Sequence, residues 1–461
     1  MALFKNRSKL YFSRLFFTLC FLLVQITPAV AQPRDTTVIR DTEIENTLKK
    51  WADPIFRAAN LDPSGVKIVL IQSPDVNAFV AGGANIFIYT GLIELTESPG
   101  ELIGVIAHEV GHIAGGHLIK TRDALERASY ESMLGTLLGI GAAIATGDGG
   151  AFPALSLGSN SIAMRRFLAH SRLQESSADQ AALTFLEKAG IDPTGIENFL
   201  DKLKSQALMP VDQQSEYIQT HPILENRMEA LQTRIDASPY KGKGYPDSWK
   251  NEHALMKAKL IAFINPGQIP WVYDDRDTSL PAAYARTIAA YRNNQVEESL
   301  KQVDALLARQ PENPYFLELK GQMLLEYGRP EEALSSYRKS LAILPDAPLI
   351  RAALGHALIE SKASNPAQER EWLNEAIDDL ERVLNEEPRY ALAHRLLATA
   401  YGREGNTGMA KIHLAEEAIL QQKFDYARQQ AEGVLNSSPK ESKEWLKAKD
   451  VLSYLDTHEK G

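Results

Sequence analysis

From Val105 to Ala114 the sequence reads Val-Ile-Ala-His-Glu-Val-Gly-His-Ile-Ala, two histidines four apart with a glutamate directly after the first. Apolar positions from Glu101 to Ile119 keep helical spacing, so the stretch is expected to be a helix. Residues four apart on a helix lie one turn apart on the same face. His108 and His112 can therefore put ring nitrogens on one ion, and Glu109 points beside it, where a carboxylate can take a proton from water. A zinc site that hydrolyses takes three protein ligands and leaves the fourth place for water, so a fold built on this helix must bring a third ligand from elsewhere.

A second helical pattern, Leu168 to Lys188, holds Glu175-Ser176-Ser177-Ala178-Asp179. Glu175 and Asp179 are four apart and share a face with Ala178, Ala181, Ala182 and Leu183, which is small and apolar rather than solvated. One acid can bind metal while the other fixes the tautomer of a ligand histidine. His117 follows Gly115-Gly116, where the motif helix is expected to end. Its offset of five from His112 turns it off the metal face, so it reads as a bystander. Thr220-His221-Pro222 reads as a turn before a helix that carries Arg227.

Upstream, Ile44, Leu48, Trp51, Ile55 and Ala59 mark an amphipathic helix over 41–60, broken by Leu61-Asp62-Pro63-Ser64-Gly65. Val66 to Ile71 is short and β-branched, hence a strand. Asn77 to Gly91 reads as two short strands around Gly82-Gly83. Such a strand, placed just before a metal helix, is either an ordinary packing hairpin or an open edge that pairs with an extended peptide. Residues 133–146 are apolar and glycine-rich but too short to span a bilayer. They read as a buried helical hairpin near the site, or else as an apolar lid that touches membrane or unfolded substrate.

Lys5, Arg7, Lys9 and Arg14 precede an apolar run, Leu15 to Ile26, which ends in Pro28 and Ala29-Val30-Ala31. That is the layout of a secretory signal peptide over 1–31, with cleavage before Gln32; an uncleaved anchor is the rival reading. The single cysteine, Cys20, lies inside this run without the small preceding residue of a lipoprotein site. The mature chain then has no disulfide, no thiolate ligand and no cysteine nucleophile. Residues 1–31 hold four basic and no acidic side chains, so their removal takes the net charge from −9 to −13. Such a balance excludes nucleic acid as a partner and suggests a periplasmic protein.

Taken together, His108-Glu109-Val110-Gly111-His112, Glu175-Ser176-Ser177-Ala178-Asp179 and Thr220-His221-Pro222 with Arg227 resemble the M48 zinc metallopeptidases. Asn77-Ala78-Phe79 and Ile88-Tyr89-Thr90-Gly91-Leu92 match the segments before the motif helix in that family, and the resemblance covers about residues 40–260. It implies a gluzincin site, with one zinc ion on His108, His112 and Glu175. Glu109 is then the catalytic base, Asp179 supports a ligand, and Asn77, Ala78 and Phe79 hold substrate. His221 either binds the transition-state oxyanion, sits on the zinc as a removable ligand, or shapes its loop. Arg227 orients that loop or holds a carboxylate. Where many relatives carry a proline before the glycines, this chain has Val80-Ala81, which leaves the local turn open.

Beyond Pro281 an internal period appears: Pro311 and Pro345 are 34 apart, as are Gly321 and Gly355. Pro345 to Pro388 and Gly355 to Ala398 are both 43, one repeat plus nine residues that a loop over Ser361–Arg370 can absorb. Tyr315, Leu319, Gly321, Leu324, Tyr327, Gly328, Ala333, Tyr337, Ala342 and Pro345 resemble a tetratricopeptide repeat. Three to four such helix pairs are expected, the last running through Ala427 to Pro439, stacked into a concave surface for protein partners.

The expected fold is α+β: a mostly helical metallopeptidase domain with a small β-sheet over 32–265, a linker over 266–280, and an all-α repeat solenoid over 281–461. The branch with an exported domain and such repeats acts in outer-membrane protein quality control. The resemblance therefore implies a zinc endopeptidase of misfolded or stalled envelope proteins in the periplasm. Its repeats would bind clients or the assembly machinery, with peripheral membrane contact. The rival reading is a chaperone or assembly scaffold with a latent zinc site.

Overall fold

The computed structural model describes residues 37–458 apart from 82, 118–171 and 211–212. The expected signal peptide, Cys20, Gly82 and the apolar stretch 133–146 lie outside the described residues. Among the described residues no helix is long and apolar enough to cross a membrane.

After β1 (Thr37–Ile39) the chain enters α1 (Thr42–Ala58). Asp41 caps it by accepting from the Ile44 amide, while Glu45 reaches back to the Asp41 amide, so two otherwise orphaned donors are satisfied. Ile44, Leu48, Trp51 and Ile55 form the expected stripe and are all buried in the core. Strands β2 (Lys67–Gln72), β3 (Ala78–Ala81) and β4 (Asn85–Tyr89) follow, and the sheet order is β1-β2-β4-β3. β2 runs parallel to β4 and β3 antiparallel to it, which leaves β3 as an edge.

The second strand was expected to run through Gly91, but it ends at Tyr89, and α2 (Thr90–Leu95) starts there. The reason lies in the loop behind it. The Thr90 hydroxyl and the Gly91 amide both donate to the Ser73 carbonyl, and a Cβ on Gly91 would stand 2.3 Å from the Pro74 oxygen. These bonds draw the backbone out of the ladder and into a helical turn.

The motif helix is α3 (Pro99–Ala114), with proline in its first turn, where a missing amide hydrogen does no harm. It ends at Gly115-Gly116, Gly116 having φ of 61°, a conformation glycine adopts at no steric cost. Around it pack α4 (172–189), α5 (Thr194–Lys204), α6 (Glu216–Thr220), α7 (Glu225–Asp236) and α8 (Asp247–Ile264). Two glycines of α3 set the approach of its neighbours. A Cβ on Gly104 would meet the Ile196 backbone at 2.7 Å, and one on Gly111 the Ala178 oxygen at 2.5 Å. Gly111, inside the motif, thus lets α4 lie against the histidine-bearing helix.

Residues 280–458 form five antiparallel helix pairs among the described residues, more than the three to four expected. They are Leu280–Arg292 with Val296–Arg309, Pro314–Glu326 with Pro330–Ile343, and Pro348–Glu360 with Pro366–Glu386, then Ala391–Glu404 with Thr407–Leu420, and Phe424–Ser437 with Lys443–His458. The nine extra residues do not all form a loop. Asn365 caps a helix that begins at Pro366 and is 21 residues long, so most of the insertion lengthens that helix. The period has a steric origin: a Cβ on Gly321 would stand 2.7 Å from the Tyr337 ring, and one on Gly355 2.9 Å from Leu380.

The α8 helix serves both halves. Met256 and Leu260 belong to the peptidase-side core, while Leu255, Ala258 and Ile261 pack with Tyr284, Ile288 and Phe316. Ile269, in the expected linker, is buried in the second of these clusters. Beside them lies a buried ionic group: Lys259 Nζ is 2.7 Å from Asp41 and 3.2 Å from Glu43, and the Tyr284 hydroxyl donates to Glu43 at 2.8 Å.

In the fourth pair, His394 and His413 face each other, Nδ1 to Nδ1 at 3.1 Å, and the His413 ring stacks on Tyr401. Burial, then the charge of His394 and of Lys447 and Lys443, pushes His413 down to about 3. A histidine depressed in this way contributes stability above its unfolded pKa of about 6.5 and loses it as pH falls towards the folded value. Thermal melts are therefore expected to show a falling melting temperature as pH drops below about 6.5. His413→Phe, which keeps a ring on Tyr401, is expected to flatten that fall; an unaltered slope would remove this pair as its source.

Candidate metal centre and active site

His108 and His112 leave α3 on one face, one turn apart, and Gly111 between them admits α4 closely enough for Glu175 to reach both. His108 Nε2 is 3.0 Å from His112 Nε2 and 3.3 Å from Glu175 Oε2, and His112 Nε2 is 3.3 Å from Glu175 Oε1. His221, just past α6, brings Nδ1 to 3.1 Å from Glu175 Oε2 and 3.3 Å from His108 Nε2. Ligand atoms of His108, His112, Glu175 and His221 all lie within 4.8 Å of one another. The structure thus brings together the three expected ligands and, as a fourth, the histidine first read as a turn residue.

The support behind the cluster is as tight. His108 Nδ1 faces Asp179 at 2.9 Å, so a proton on that nitrogen leaves Nε2 free to coordinate. Arg227 grips Asp179 with two bonds, Nε to Oδ2 at 2.5 Å and an Nη to Oδ1 at 2.9 Å. Its other Nη lies 3.0 Å from Glu175 and donates to the Pro222 carbonyl at 3.1 Å. One guanidinium therefore holds both carboxylates and the loop that follows His221.

Electrostatics follow from this crowding. Burial would lower His108, but hydrogen bonds to Asp179 and Glu175 outweigh it and lift the ring to about 9. Burial, only partly offset by Glu175, takes His112 down to about 3. Burial would raise Glu175, yet the three histidines hold it well below the usual carboxylate range. Asp179 is likewise held down by Arg227 and His108 against the effect of burial. Glu109 differs: burial raises its carboxyl, and its Oε1 has no hydrogen-bond partner among the described residues. That oxygen lies 3.7 Å from His221 Nε2, which is also buried and unpartnered.

Three imidazoles and a carboxylate with buried, converging nitrogen and oxygen atoms fit a metal ion well. Imidazole nitrogen and carboxylate oxygen are zinc donors, and ligand atoms of all four residues already lie within one ion's reach of each other.

His117 is not among the converging ligand residues, yet it touches one of them. Its Nδ1 lies 3.1 Å from His112 Nδ1, on the side of that ring away from the cluster. The turn at Gly115-Gly116 brings its ring against that of His112, 5.0 Å between centroids. Tyr217 was not singled out by sequence reasoning. It is buried, its ring lies 4.7 Å from that of His221, and its place four residues before the histidine was the available signal.

Asn77, Ala78 and Phe79 stand at the edge of the sheet, Asn77 and Ala78 buried and Phe79 half-buried on the face opposite Ala78. The Asn77 amide donates to Glu216 at 3.1 Å, Ala78 is buried, and Phe79 stacks on Phe87 at 5.1 Å. Because the Tyr89 amide donates to the Asn77 carbonyl, the main-chain groups of Ala78 and Val80 point away from β4, along the open edge. One outward carbonyl, that of Val76, accepts from the Tyr217 amide at 3.1 Å. The helix that delivers His221 is thereby pinned to the end of this edge.

The model of Peptidase family M48 matches residues 39–235, a span that contains every residue of this centre, and a tetratricopeptide repeat model matches 284–348. The beta-barrel assembly-enhancing proteases of Yersinia pestis and Escherichia coli K12 are each 24% identical to the chain, over 329 and 332 residues. Each match covers 70% of this chain and 66% of the relative, so the chain spans somewhat less than two thirds of their length. The metalloprotease LoiP of Escherichia coli K12 is 29% identical over 204 residues, 44% of this chain and 74% of that protein. The chain carries a peptidase family M48 domain, followed by tetratricopeptide repeats.

Proposed function

We propose that the chain is an exported zinc metalloendopeptidase of the bacterial envelope that cuts unfolded or misassembled polypeptides, its repeats holding clients or assembly partners. The observation that carries this reading is the convergence of His108, His112 and Glu175 beside the buried Glu109 carboxylate, whose Oε1 has no hydrogen-bond partner among the described residues. The names of its relatives, proteases that enhance β-barrel assembly, and the basic-apolar stretch at its N-terminus support the envelope setting.

His108, His112 and Glu175 would hold the metal. An ion bound there would supply the Lewis acidity that polarises a carbonyl and lowers the pKa of water towards about 7. Glu109, raised by burial, accepts the proton of the attacking water and hands it to the leaving amine. Arg227 and Asp179 keep the His108 ring oriented throughout. The outward main-chain groups of Ala78 and Val80 pair with substrate as an added strand, a mode that reads backbone rather than sequence and suits unfolded chains.

Of the roles open to His221, the geometry supports that of a removable ligand. Its Nδ1 stands among the other ligand atoms, where the reacting carbonyl would have to enter. His221→Ala is expected to raise the cleavage rate of unfolded casein severalfold with zinc content unchanged. A fall in rate would favour the oxyanion role.

The reading itself is tested with the purified chain and unfolded casein. Cleavage that stops with a zinc chelator and returns with zinc supports it. Cleavage indifferent to chelation contradicts it, as does no cleavage by zinc-loaded wild type and His221→Ala alike.

A further inference from the structure

A cavity of about 650 Å³ runs along the repeats, walled by the first helices of the second and third pairs and reaching Tyr390 and Leu392 at the start of the fourth. Its wall carries Glu318, Glu326, Glu331 and Glu360 against a single lysine, Lys362. Glu326, Glu331 and Glu360 are exposed, and the Glu360 side chain has no ion pair or hydrogen bond with any described residue. Glu318 is set deeper. Its Oε1 accepts from the Thr42 hydroxyl at 3.0 Å, while Oε2 is shielded from water and without a hydrogen-bond partner. Leu325, Leu349 and Leu392 line the same groove, and Leu392 is 42% exposed although it is a large apolar side chain.

A shielded carboxylate oxygen without a donor is unfavourable by itself. Burial pushes Glu318 up to about 7, with Asp41 and Glu43 adding to the rise and Lys259 and the Thr42 bond opposing it. A cationic side chain entering the groove relieves this, and the leucines give its neighbour an apolar seat. The same repeats already hold one cation in this way: Arg40 forks onto Glu387 with two bonds of 2.7 Å, next to Tyr390 of the groove.

We propose that this groove binds an extended segment of client polypeptide in which a lysine or arginine adjoins an apolar residue, the cation meeting the carboxylates of the wall and the apolar side chain meeting Leu325, Leu349 and Leu392. The proposal deepens the reading of the chain as a peptidase of unfolded polypeptides, and rests on it for the identity of the client. It makes the repeats select by charge, while the sheet edge accepts any backbone.

The test uses the full chain carrying Glu109→Gln, so that the probe survives. The probes are fluorescent unstructured peptides of Gly-Lys-Leu repeats and of Gly-Glu-Leu repeats. The lysine peptide is expected to bind, more weakly as salt rises, and the glutamate peptide not to bind. Glu318→Gln keeps an acceptor for Thr42 and Glu360→Gln removes a charge on an exposed side chain, so neither threatens the fold. Each is expected to weaken binding about tenfold, the loss of one bond to a charged group. Glu371→Gln, on an exposed carboxylate outside the groove, is expected to change nothing. Equal binding of the two peptides, or unaltered affinity in both groove variants, would overturn the proposal. Casein cleavage by zinc-loaded wild type and His221→Ala is read separately: cleavage without lysine-peptide binding sinks this inference alone, and binding without cleavage by either sinks the peptidase reading alone.

Discussion

Glu109→Gln is expected to lower cleavage of unfolded casein by about 10²–10⁴-fold, the range that a positioned general base contributes, while zinc content stays at the wild-type level. The two readouts separate because Glu109 lies outside the group of residues whose ligand atoms converge. Glutamine fills the same buried volume and removes only the ability to take a proton. It also relieves a local penalty, since burial disfavours the charged form of Glu109. The variant is therefore expected to melt no lower than wild type. Loss of zinc along with activity would instead make Glu109 a ligand; retained activity would remove it from the mechanism.

Arg227→Met is expected to be the most damaging single change in the peptidase half. Arg227 is buried and holds two buried carboxylates, Asp179 and Glu175, as well as the Pro222 carbonyl. Removing one partner of a buried ionic group leaves uncompensated charge and costs about 3–5 kcal/mol. Methionine keeps most of the volume, so the effect measured is electrostatic. Denaturant unfolding of the metal-free protein is expected to show this loss. Zinc added back is expected to restore part of it, because a cation between the histidines again neutralises Glu175. An Arg227→Met protein as stable as wild type, with full zinc, would mean that the clamp is incidental.

Much of this centre was legible beforehand because its parts obey local rules. The i, i+4 spacing of His108 and His112, and of Glu175 and Asp179, survives in any helix. The small apolar face of α4 indicated that the acids point inward, and both are buried. What could not be read depends on how separate segments meet. The clamp by Arg227 requires α7 to lie across α4, and nothing near Arg227 in the chain says so. The contact of His117 with His112 could not be read either, because helical spacing stops at Gly116, where the backbone turns left-handed. Thr90 looks like the last residue of a strand, yet its hydroxyl bond to Ser73 starts a helix. In the repeats, the Pro–Gly period was clear where Gly321 and Gly355 face bulky neighbours. The final pair, Phe424–Ser437 with Lys443–His458, lacks that spacing and was only half seen.

The most direct test of the account is the metal itself, measured by mass spectrometry on purified wild type and His108→Ala alongside casein cleavage. The account predicts one zinc per wild-type chain with cleavage, and neither zinc nor cleavage in His108→Ala. A wild-type chain that binds unfolded clients but holds no zinc and cuts nothing, even when zinc is supplied, would contradict it.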